Sequence, residues 1–465
     1  MKYISTRGEA PVLGFEDALL AGLADDGGLY VPESWPRLSE AMIAGFAEKS
    51  FAEIAVNVLH PFMSEDVPRA RLAEMVEEAY AGFDHDEVTP LTDLGDGQYL
   101  LELYHGPTLA FKDVAMQLLA RLMDDALQRR GARATIIGAT SGDTGGAAIE
   151  AFRNRDAVNM FILFPDGRVS DVQRKQMTTP QDANVHTLSV DGTFDDCQAL
   201  VKGMFNDAPF RKEMSLAGVN SINWARVMAQ ITYYFVAASR LGAPEKPVAF
   251  SVPTGNFGDI FAGYVAAQMG LPIAQLMIAT NVNDILARTL DTGIYETDKV
   301  IATQSPSMDI QVSSNFERLL FEVTGRDAAR VRAMIGALTQ GGRFEMQEKE
   351  LQLTRALFAA ARVDEAATLE VMRSFEAAHG FQIDPHSAVG IGAAQRAVLP
   401  ENVPMVTLAT AHPAKFPKAV MAAYDTEPDT PQRVLDMLEK EERLTPVANE
   451  LAAVETAIRD KASFV

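Results

Sequence analysis

Short continuous apolar runs recur along this chain, and each is followed by a turn and then by a helical pattern. The clearest runs occupy 134–138, 160–165, 248–253, 275–279 and 404–409. Runs of this length without polar alternation are typical of parallel strands whose two faces are both covered by helices. The sequence therefore predicts an α/β fold with open sheets flanked by helices.

The first part of the chain follows a different pattern. Apolar residues recur at mixed spacings of three and four in segments 46–56 and 69–80, which indicates helices. Strand-like runs begin near residue 98, and a length of 465 residues suggests two or three domains. We expect a mostly helical N-terminal domain over 1–90 and a main region over 91–465. The main region is predicted to contain two α/β subdomains, at about 100–215 and 216–465, with a helical segment near 326–380.

The chain is strongly acidic. It has 41 Lys and Arg residues against 63 Asp and Glu residues, which gives a formal charge of −22. Such a charge repels nucleic acids and anionic membranes, so neither is an expected partner. A small anionic ligand would need local positive potential from backbone N–H groups, helix N-termini and a few Lys or Arg side chains.

Cys197 is the only cysteine, so the chain can form neither an internal disulfide nor a thiolate metal cluster. We expect it to be a small buried residue. No His, Asp or Glu cluster has the spacing of a metal site. The N-terminus lacks the apolar segment of a secretory signal, and no stretch approaches the ~18 apolar residues of a membrane span. A cytoplasmic location is expected, and nothing in the sequence predicts the oligomeric state.

A glycine-rich turn follows the predicted strand at 134–138. It reads Ala-Thr-Ser-Gly-Asp-Thr-Gly-Gly over 139–146 and leads into a helix. Ser141 and Thr144 offer hydroxyl donors, and the positive end of the helix dipole attracts anions. The segment is equally compatible with a plain strand-to-helix turn in which Asp143 or Thr144 caps the helix.

A second turn, Pro-Thr-Gly-Asn-Phe-Gly-Asp over 253–259, also follows a predicted strand. Its Asn and two Gly residues suit a phosphate cradle made of backbone N–H groups. It matches neither the Gly-x-Gly-x-x-Gly dinucleotide fingerprint nor a Walker loop, so the usual nucleotide interpretations do not apply. A turn without a ligand is the alternative.

The third turn precedes a helix whose apolar face is followed by Gly131, and Lys112 lies at the start of that helix. A lysine at a helix N-terminus faces the positive end of the dipole. That position lowers the pKa of the amine, as a nucleophilic lysine requires. The alternative is a solvated surface lysine.

The string His-Gly-Pro-Thr-Leu-Ala-Phe-Lys-Asp over 105–113 resembles the cofactor-lysine motif of the threonine synthase family, in its bacterial and fungal branch. Other family-like strings follow the same order along the chain, and together they extend from the first residue to about residue 420. They occupy 1–8, 26–32, 139–146, 221–226, 253–258, 306–318 and 410–416.

This resemblance implies a fold-type-II enzyme, similar to the tryptophan synthase β chain, with pyridoxal 5′-phosphate between two α/β domains. Lys112 would hold the cofactor as a Schiff base, and Thr410 would hydrogen-bond the pyridine nitrogen. Segment 141–145 would lie near the substrate and the 3′ oxygen of the cofactor. The carboxylate of Asp143 is unfavourable beside that oxygen unless it is protonated or turned away. The cofactor phosphate would be bound by Gly255, Asn256, Phe257 and Gly258.

The implied reaction converts O-phospho-L-homoserine and water into L-threonine and phosphate, the last step of threonine biosynthesis. The alternatives are a phospholyase of the same fold, which releases 2-oxobutanoate, ammonia and phosphate, and a binding protein without catalysis. A protein that only binds its ligand would not require a reactive amine at Lys112. The residues expected to contact the substrate are Ser141, Asp143, Thr144, Ser221, Asn223 and Arg226.

Several of these positions have plainer interpretations. Arg226 suits bidentate phosphate binding but could equally be a surface or helix-pairing arginine. His105, His386 and His412 are interpreted as structural hydrogen-bonding residues rather than catalytic bases. Lys415 either supports a phosphate or faces solvent at a helix start.

Overall fold

The N-terminal region is mostly helical. The computed structural model describes residues 1–140 and 142–462. The third helix begins at a capping box in which the Ser50 and Glu53 side chains each accept a backbone N–H of the other residue. The elements of this region are β1 (Tyr3–Ser5), α1 (Phe15–Ala21), β2 (Tyr30–Pro32), α2 (Glu40–Ala44), α3 (Phe51–Met63) and α4 (Arg69–Tyr80).

The rest of the chain alternates strands and helices. Its strands are β3 (Leu91–Gly95), β4 (Gln98–Glu102), β5 (Ala134–Ala139), β6 (Val158–Pro165), β7 (Val185–Val190), β8 (Leu216–Ala217), β9 (Val248–Pro253), β10 (Ile273–Thr280), β11 (Ile294–Glu296), β12 (Arg343–Glu345), β13 (Phe358–Arg362), β14 (Met405–Ala409) and β15 (Thr445–Val447). The five apolar runs predicted as strands correspond to β5, β6, β9, β10 and β14.

The helices of this part follow the strands closely. They are α5 (Lys112–Arg129), α6 (Asp143–Phe152), α7 (Asp171–Thr178), α8 (Phe194–Asn206), α9 (Ala208–Glu213), α10 (Trp224–Arg240), α11 (Gly258–Gln268), α12 (Ile285–Thr292), α13 (Phe316–Val323), α14 (Ala328–Gly341), α15 (Glu348–Arg355), α16 (Glu365–His379), α17 (Pro385–Ala394), α18 (Pro417–Tyr424), α19 (Gln432–Leu438) and α20 (Leu451–Lys461). Two 3₁₀ turns occupy Pro306–Met308 and Pro413–Lys415.

Two large sheets form the centre of the main region, beside a two-stranded antiparallel sheet of β11 and β12. The larger has the order β13-β10-β9-β14-β4-β3 and is parallel except for the β3–β4 pair. The smaller has the order β15-β7-β6-β5-β8 and is parallel throughout. Parallel strands end at the same edge, so the turns that follow them gather there.

The strands of the two sheets do not follow one another as two separate blocks along the chain. Strand β4 precedes the smaller sheet in sequence yet pairs with β14 in the larger one, and β15 returns to pair with β7. The predicted domain limits stay predictions, and a division at residue 215 does not separate the two sheets. The predicted helical segment at 326–380 contains α14, α15 and α16, but also β12 and β13. Because β13 lacks large aliphatic residues, it does not stand out as a strand in the sequence.

Aromatic packing joins the N-terminal region to helix α10. The ring of Trp224, the first residue of α10, lies 6.2 Å from that of Tyr3, 5.8 Å from Trp35 and 5.7 Å from Phe62. All four belong to or pack against one continuous apolar core that extends into the larger sheet. Among the described residues, no helix is long and apolar enough to cross a membrane.

Candidate active site

Lys112 lies between the edges of the two sheets. It is the first residue of α5, which follows β4 in the larger sheet, whereas Asp143 opens α6 after β5 in the smaller one. The Lys112 Nζ atom lies 3.3 Å from Asp143 Oδ2. Crevices beyond the carboxyl ends of parallel strands are the usual ligand sites of open α/β sheets.

The loop that presents Lys112 is held against the segment after β14. The Phe111 N–H donates to the Thr410 carbonyl at 2.9 Å, and the His412 N–H donates to the Leu109 carbonyl at 3.0 Å. These bonds surround an antiparallel bridge between Ala110 and Ala411. The loop therefore fixes where the helix starts, and with it the direction of the Lys112 side chain.

A buried carboxylate closes the same loop. Asp113 accepts hydrogen bonds from the Thr108 N–H at 2.7 Å and from the Thr108 hydroxyl at 2.6 Å. A Cβ at Gly106 would lie 2.4 Å from the Asp113 Cβ, so the close approach requires glycine. Burial raises the pKa of Asp113 to about 6, although the Thr108 bonds and nearby Lys415 oppose this shift.

The amine of Lys112 is shielded from water, with its side chain only 11% exposed. Burial lowers the pKa of Lys112, because water can no longer solvate the ammonium. The positive charges of Lys415 and Arg226 act in the same direction, and the carboxylate of Asp143 acts against them. The surface-lysine alternative is therefore wrong. The amine pKa is lowered in the expected direction, but burial is the main cause rather than the helix start that the sequence suggested.

The Asp143 carboxyl group is ionised and faces Lys112, so it is neither protonated nor turned away from the site. Its Oδ1 pairs with Lys415 Nζ at 3.0 Å and accepts from Gln173 Nε2 at 3.0 Å, while its Oδ2 faces Lys112 and accepts from the Ser307 hydroxyl at 3.4 Å. Burial alone would raise the pKa of Asp143, but Lys415 and Lys112 outweigh it and lower the value.

The turn after β5 is capped by a residue that the sequence interpretation did not choose. The Thr140 hydroxyl accepts the N–H groups of Gly142 and Gly145, both at 3.0 Å. Thr140, and not Asp143 or Thr144, thus satisfies these donors. Ser141 lies outside the described residues, and the half-buried side chain of Thr144 makes no hydrogen bond within them.

The turn after β9 is shaped to receive an anion. Phe257 adopts a left-handed φ of 64° at the start of α11, and a Cβ at Gly255 would lie 2.5 Å from the Ser307 carbonyl oxygen. No residue in the described ranges accepts a hydrogen bond from the N–H groups of residues 255–258. Unpaired donors at a helix N-terminus suit a phosphate, so this turn fits the phosphate of pyridoxal phosphate.

Thr410 is available for the pyridine nitrogen. It follows β14, is 5% exposed, and its hydroxyl makes no hydrogen bond to another residue in 1–140 or 142–462. A hydroxyl without a protein partner can donate to an acceptor on a ligand. A ring nitrogen would provide one, so the cofactor assignment of Thr410 is compatible with the fold.

Comparison with known proteins agrees along the whole chain. Three family models match: "Threonine synthase N terminus" over 2–80, "Pyridoxal-phosphate dependent enzyme" over 83–411, and "Threonine synthase, C-terminal" over 387–458. A threonine synthase of Pseudomonas aeruginosa is 51% identical over 459 residues, covering 98% of each chain. The chain belongs to the threonine synthase family.

Solved structures of threonine synthases have the same fold. The PLP-bound threonine synthase from Brucella melitensis superposes with a TM-score of 0.98 at 58% identity and covers all of both chains. The yeast threonine synthase gives a TM-score of 0.95 at 39% identity, covering 100% of this chain and 99% of its own. The predicted fold-type-II class is confirmed, and pyridoxal phosphate is the cofactor.

The segment before α10 contains two of the residues predicted to contact the substrate, Ser221 and Asn223. Asn223 caps α10: its Oδ1 accepts the Ala225 N–H at 3.0 Å, and its Nδ2 donates to the Leu19 carbonyl at 2.9 Å. Both ends of its amide therefore have protein partners. Ser221 is half-buried, and its carbonyl accepts from Asn315 Nδ2 at 3.1 Å. Substrate contact stays a prediction for both.

Arg226 is a buried cation that pairs with no carboxylate among residues 1–140 and 142–462. It is 4% exposed, its Nη1 donates to the Val219 carbonyl at 3.3 Å, and its Nε has no hydrogen-bond partner in the described residues. Burial lowers its pKa to about 10. The surface-arginine alternative is wrong, and a guanidinium in this condition is suited to an anionic ligand.

The three histidines interpreted as structural residues make hydrogen bonds within the protein. His386 Nδ1 lies 2.7 Å from Asp384, and its Nε2 accepts the Ser307 N–H at 3.2 Å, so the proton lies on Nδ1. His105 Nε2 binds Glu102 at 2.9 Å, and His412 Nδ1 accepts the Ala414 N–H at 3.1 Å.

Sequence reasoning missed the residues that support the site from a distance. Asn315 donates to the Asn256 carbonyl from its backbone at 3.0 Å and from its side chain at 2.9 Å. Arg318, fully buried, contacts Asn315 and donates to the Tyr30 carbonyl of the N-terminal region at 2.9 Å. Both lie in the family-like segment 306–318, which was the only signal in the sequence.

Proposed function

We propose that this enzyme converts O-phospho-L-homoserine and water into L-threonine and phosphate. The cofactor and the threonine synthase relatives support the reaction class. The observation that carries the choice of a phosphorylated amino acid is Arg226: a buried guanidinium that affects the Lys112 amine electrostatically and lacks a carboxylate partner in the described residues. The dianionic phosphate of the substrate would supply the missing charge.

In this proposal Lys112 holds the cofactor and moves the protons. Bound pyridoxal phosphate supplies stabilisation of negative charge at the carbons of the substrate. Lys112 Nζ, freed when the substrate amine replaces it on the cofactor, would take the α-proton, give it up again, and then take the β-proton as phosphate leaves from the γ-carbon. Protons would return to the γ-carbon and the α-carbon, and water would add its hydroxyl at the β-carbon. A lowered pKa keeps the amine neutral enough to accept each proton near working pH.

The remaining assignments are those that the family resemblance implies. The N–H groups of Gly255, Asn256, Phe257 and Gly258 would bind the cofactor phosphate, and Thr410 would bind its ring nitrogen. Ser141, Asp143, Thr144, Ser221 and Asn223 are proposed to line the substrate position together with Arg226. We further propose a cytoplasmic location. The free thiol of buried Cys197 supports it, since the thiol requires no oxidising compartment.

A phosphate-release assay coupled to analysis of the organic product tests the function. With O-phospho-L-homoserine we expect threonine and phosphate in equal amounts. Phosphate with 2-oxobutanoate and ammonia instead of threonine would identify the enzyme as a phospholyase. Absence of phosphate release would reject the substrate.

Borohydride reduction of the cofactor-loaded protein, followed by peptide mass analysis, tests the position of the cofactor. The adduct is expected on Lys112. The Lys112→Ala variant should lose turnover while keeping the far-UV circular dichroism of the parent. An adduct on another lysine would refute the assignment.

A further inference from the structure

Lys415 is a fully buried lysine to which the proposed reaction assigns no role. It lies in the 3₁₀ turn Pro413–Lys415 that follows β14. The alternative in which it faces solvent is wrong. A buried ammonium is costly unless charge and hydrogen bonds compensate it, so its partners indicate what it does.

Three acceptors from three different segments surround the Lys415 ammonium. They are Asp143 Oδ1 of α6 at 3.0 Å, the Thr108 carbonyl of the loop before α5 at 2.6 Å, and Gln176 Oε1 of α7 at 3.2 Å. An ammonium has three N–H donors, so each donor has a partner. The side chain is therefore fixed between the two sheets.

We propose that Lys415 is a positioning residue for Lys112, because it binds one oxygen of Asp143 and leaves the other as an already neutralised support for the Lys112 amine. The proposal rests on the proposed function in taking Lys112 as the reacting amine. Asp143 alone would hold Lys112 as a tight ammonium–carboxylate pair, and an ammonium cannot accept a proton. Sharing the carboxylate with Lys415 holds the amine in place without fixing its charge.

Four charged side chains of the described residues interact electrostatically with Lys112. Asp143 faces it from α6, Lys415 from the 3₁₀ turn, Arg226 from α10 and Asp259 from α11. Asp259 accepts from the Tyr233 hydroxyl at 2.5 Å and from the Tyr234 hydroxyl at 3.0 Å, and burial raises its pKa to about 6. Asp143 is therefore the carboxylate that determines the state of Lys112, and Lys415 is its main counter-charge.

Competitive acetylation of the cofactor-free protein as a function of pH measures the Lys112 amine directly. Labelling is read by peptide mass and normalised to exposed Lys246. The variants are Lys415→Met, Asp143→Asn and the double substitution. Lys418→Met is the matched control, since Lys418 is an exposed lysine three residues further along.

Lys415→Met should raise the Lys112 pKa and slow its labelling near neutral pH about tenfold, the effect of one pKa unit. Asp143→Asn should speed labelling by a similar factor, and the double variant should return towards the parent. Lys418→Met should change nothing. Unchanged or faster labelling in folded Lys415→Met would overturn the proposal, as would a similar effect of Lys418→Met.

A purely structural ion pair predicts a different result. It would lower stability in Lys415→Met without moving the pH profile of Lys112. If Lys415→Met does not fold, the comparison of Asp143→Asn with the double variant decides. Slower labelling in the double variant supports the proposal, and equal rates refute it.

A second readout uses the cofactor-loaded protein. The visible absorption of the bound cofactor changes with pH. The midpoint of that change should rise in Lys415→Met and fall in Asp143→Asn, and the reverse order would contradict the electrostatic argument. Failure of the proposed function is seen separately, as a borohydride adduct away from Lys112 or as absence of phosphate release.

Discussion

The buried charge of Arg226 carries a cost that its described protein neighbours do not offset. Arg226 is enclosed with one hydrogen bond, to a carbonyl, and with its Nε unpartnered in the part of the chain that the structure describes. An uncompensated buried cation destabilises a fold by several kcal/mol, on the order of the penalty per ion in a low-dielectric interior. In the proposed function, the substrate phosphate supplies the charge that Arg226 lacks.

Arg226→Met should separate binding from stability. We expect the KM for O-phospho-L-homoserine to rise about 100-fold, because a charge-assisted bidentate contact is lost. Urea unfolding of the cofactor-free variant should show stability equal to or above that of the parent, since the desolvation cost disappears. A less stable variant with an unchanged KM would indicate a structural role instead.

At the scale of elements, the loops before α5 and α11 differ in whether their backbone N–H groups have a partner within the protein. The first uses a buried carboxylate to satisfy Thr108, and the second leaves its N–H groups for a ligand. In both, the close packing of a glycine determines the backbone path. The apolar strands and these turns could be predicted from local sequence, because strand and turn signals lie within a few residues.

Gly255→Ala tests the second loop. The new Cβ would lie 2.5 Å from a carbonyl oxygen of the 3₁₀ turn Pro306–Met308, so one of the two segments must move. We expect cofactor affinity to fall at least tenfold in an equilibrium titration, or about 1.4 kcal/mol. Gly336→Ala, in open space on α14, is the control and should bind normally. Equal affinity in both variants would show that the loop does not bind the phosphate.

Asp113 gives the first loop a pH dependence. Its folded pKa of about 6 exceeds the ordinary value of 3.8 because of burial, so the folded state binds the proton more tightly. Its contribution to stability is present below pH 3.8 and is lost as pH rises through about 6, a change of about 3 kcal/mol. Asp113→Asn should flatten the stability profile over this window. An identical slope in urea unfolding of parent and variant would refute the assignment.

At the scale of the whole molecule, contacts between distant segments account for what the sequence did not reveal. Lys415 meets Thr108 across about 300 residues, and Arg318 meets Tyr30. Edge strand β15 has three residues and joins the smaller sheet from the far end of the chain. Such partners are chosen by tertiary packing, so neither periodicity nor turn chemistry could reveal them.

The shared core predicts that the N-terminal region does not unfold alone. The only two tryptophans, Trp35 and Trp224, lie on either side of its contact with α10. The urea transition followed by tryptophan fluorescence should therefore coincide with that followed by far-UV circular dichroism. Loss of the fluorescence signal at lower urea would show that the region separates first.

The pairing of β4 with β14 has a consequence for biosynthesis. The strand that leads to Lys112 lies between β3 and β14, and the loop before Lys112 hydrogen-bonds to the segment directly after β14. A nascent chain still on the ribosome lacks that neighbour until residues beyond 410 have emerged. We therefore expect the Lys112 site to form only after β14 has joined the sheet, so that cofactor binding follows the folding of nearly the whole chain.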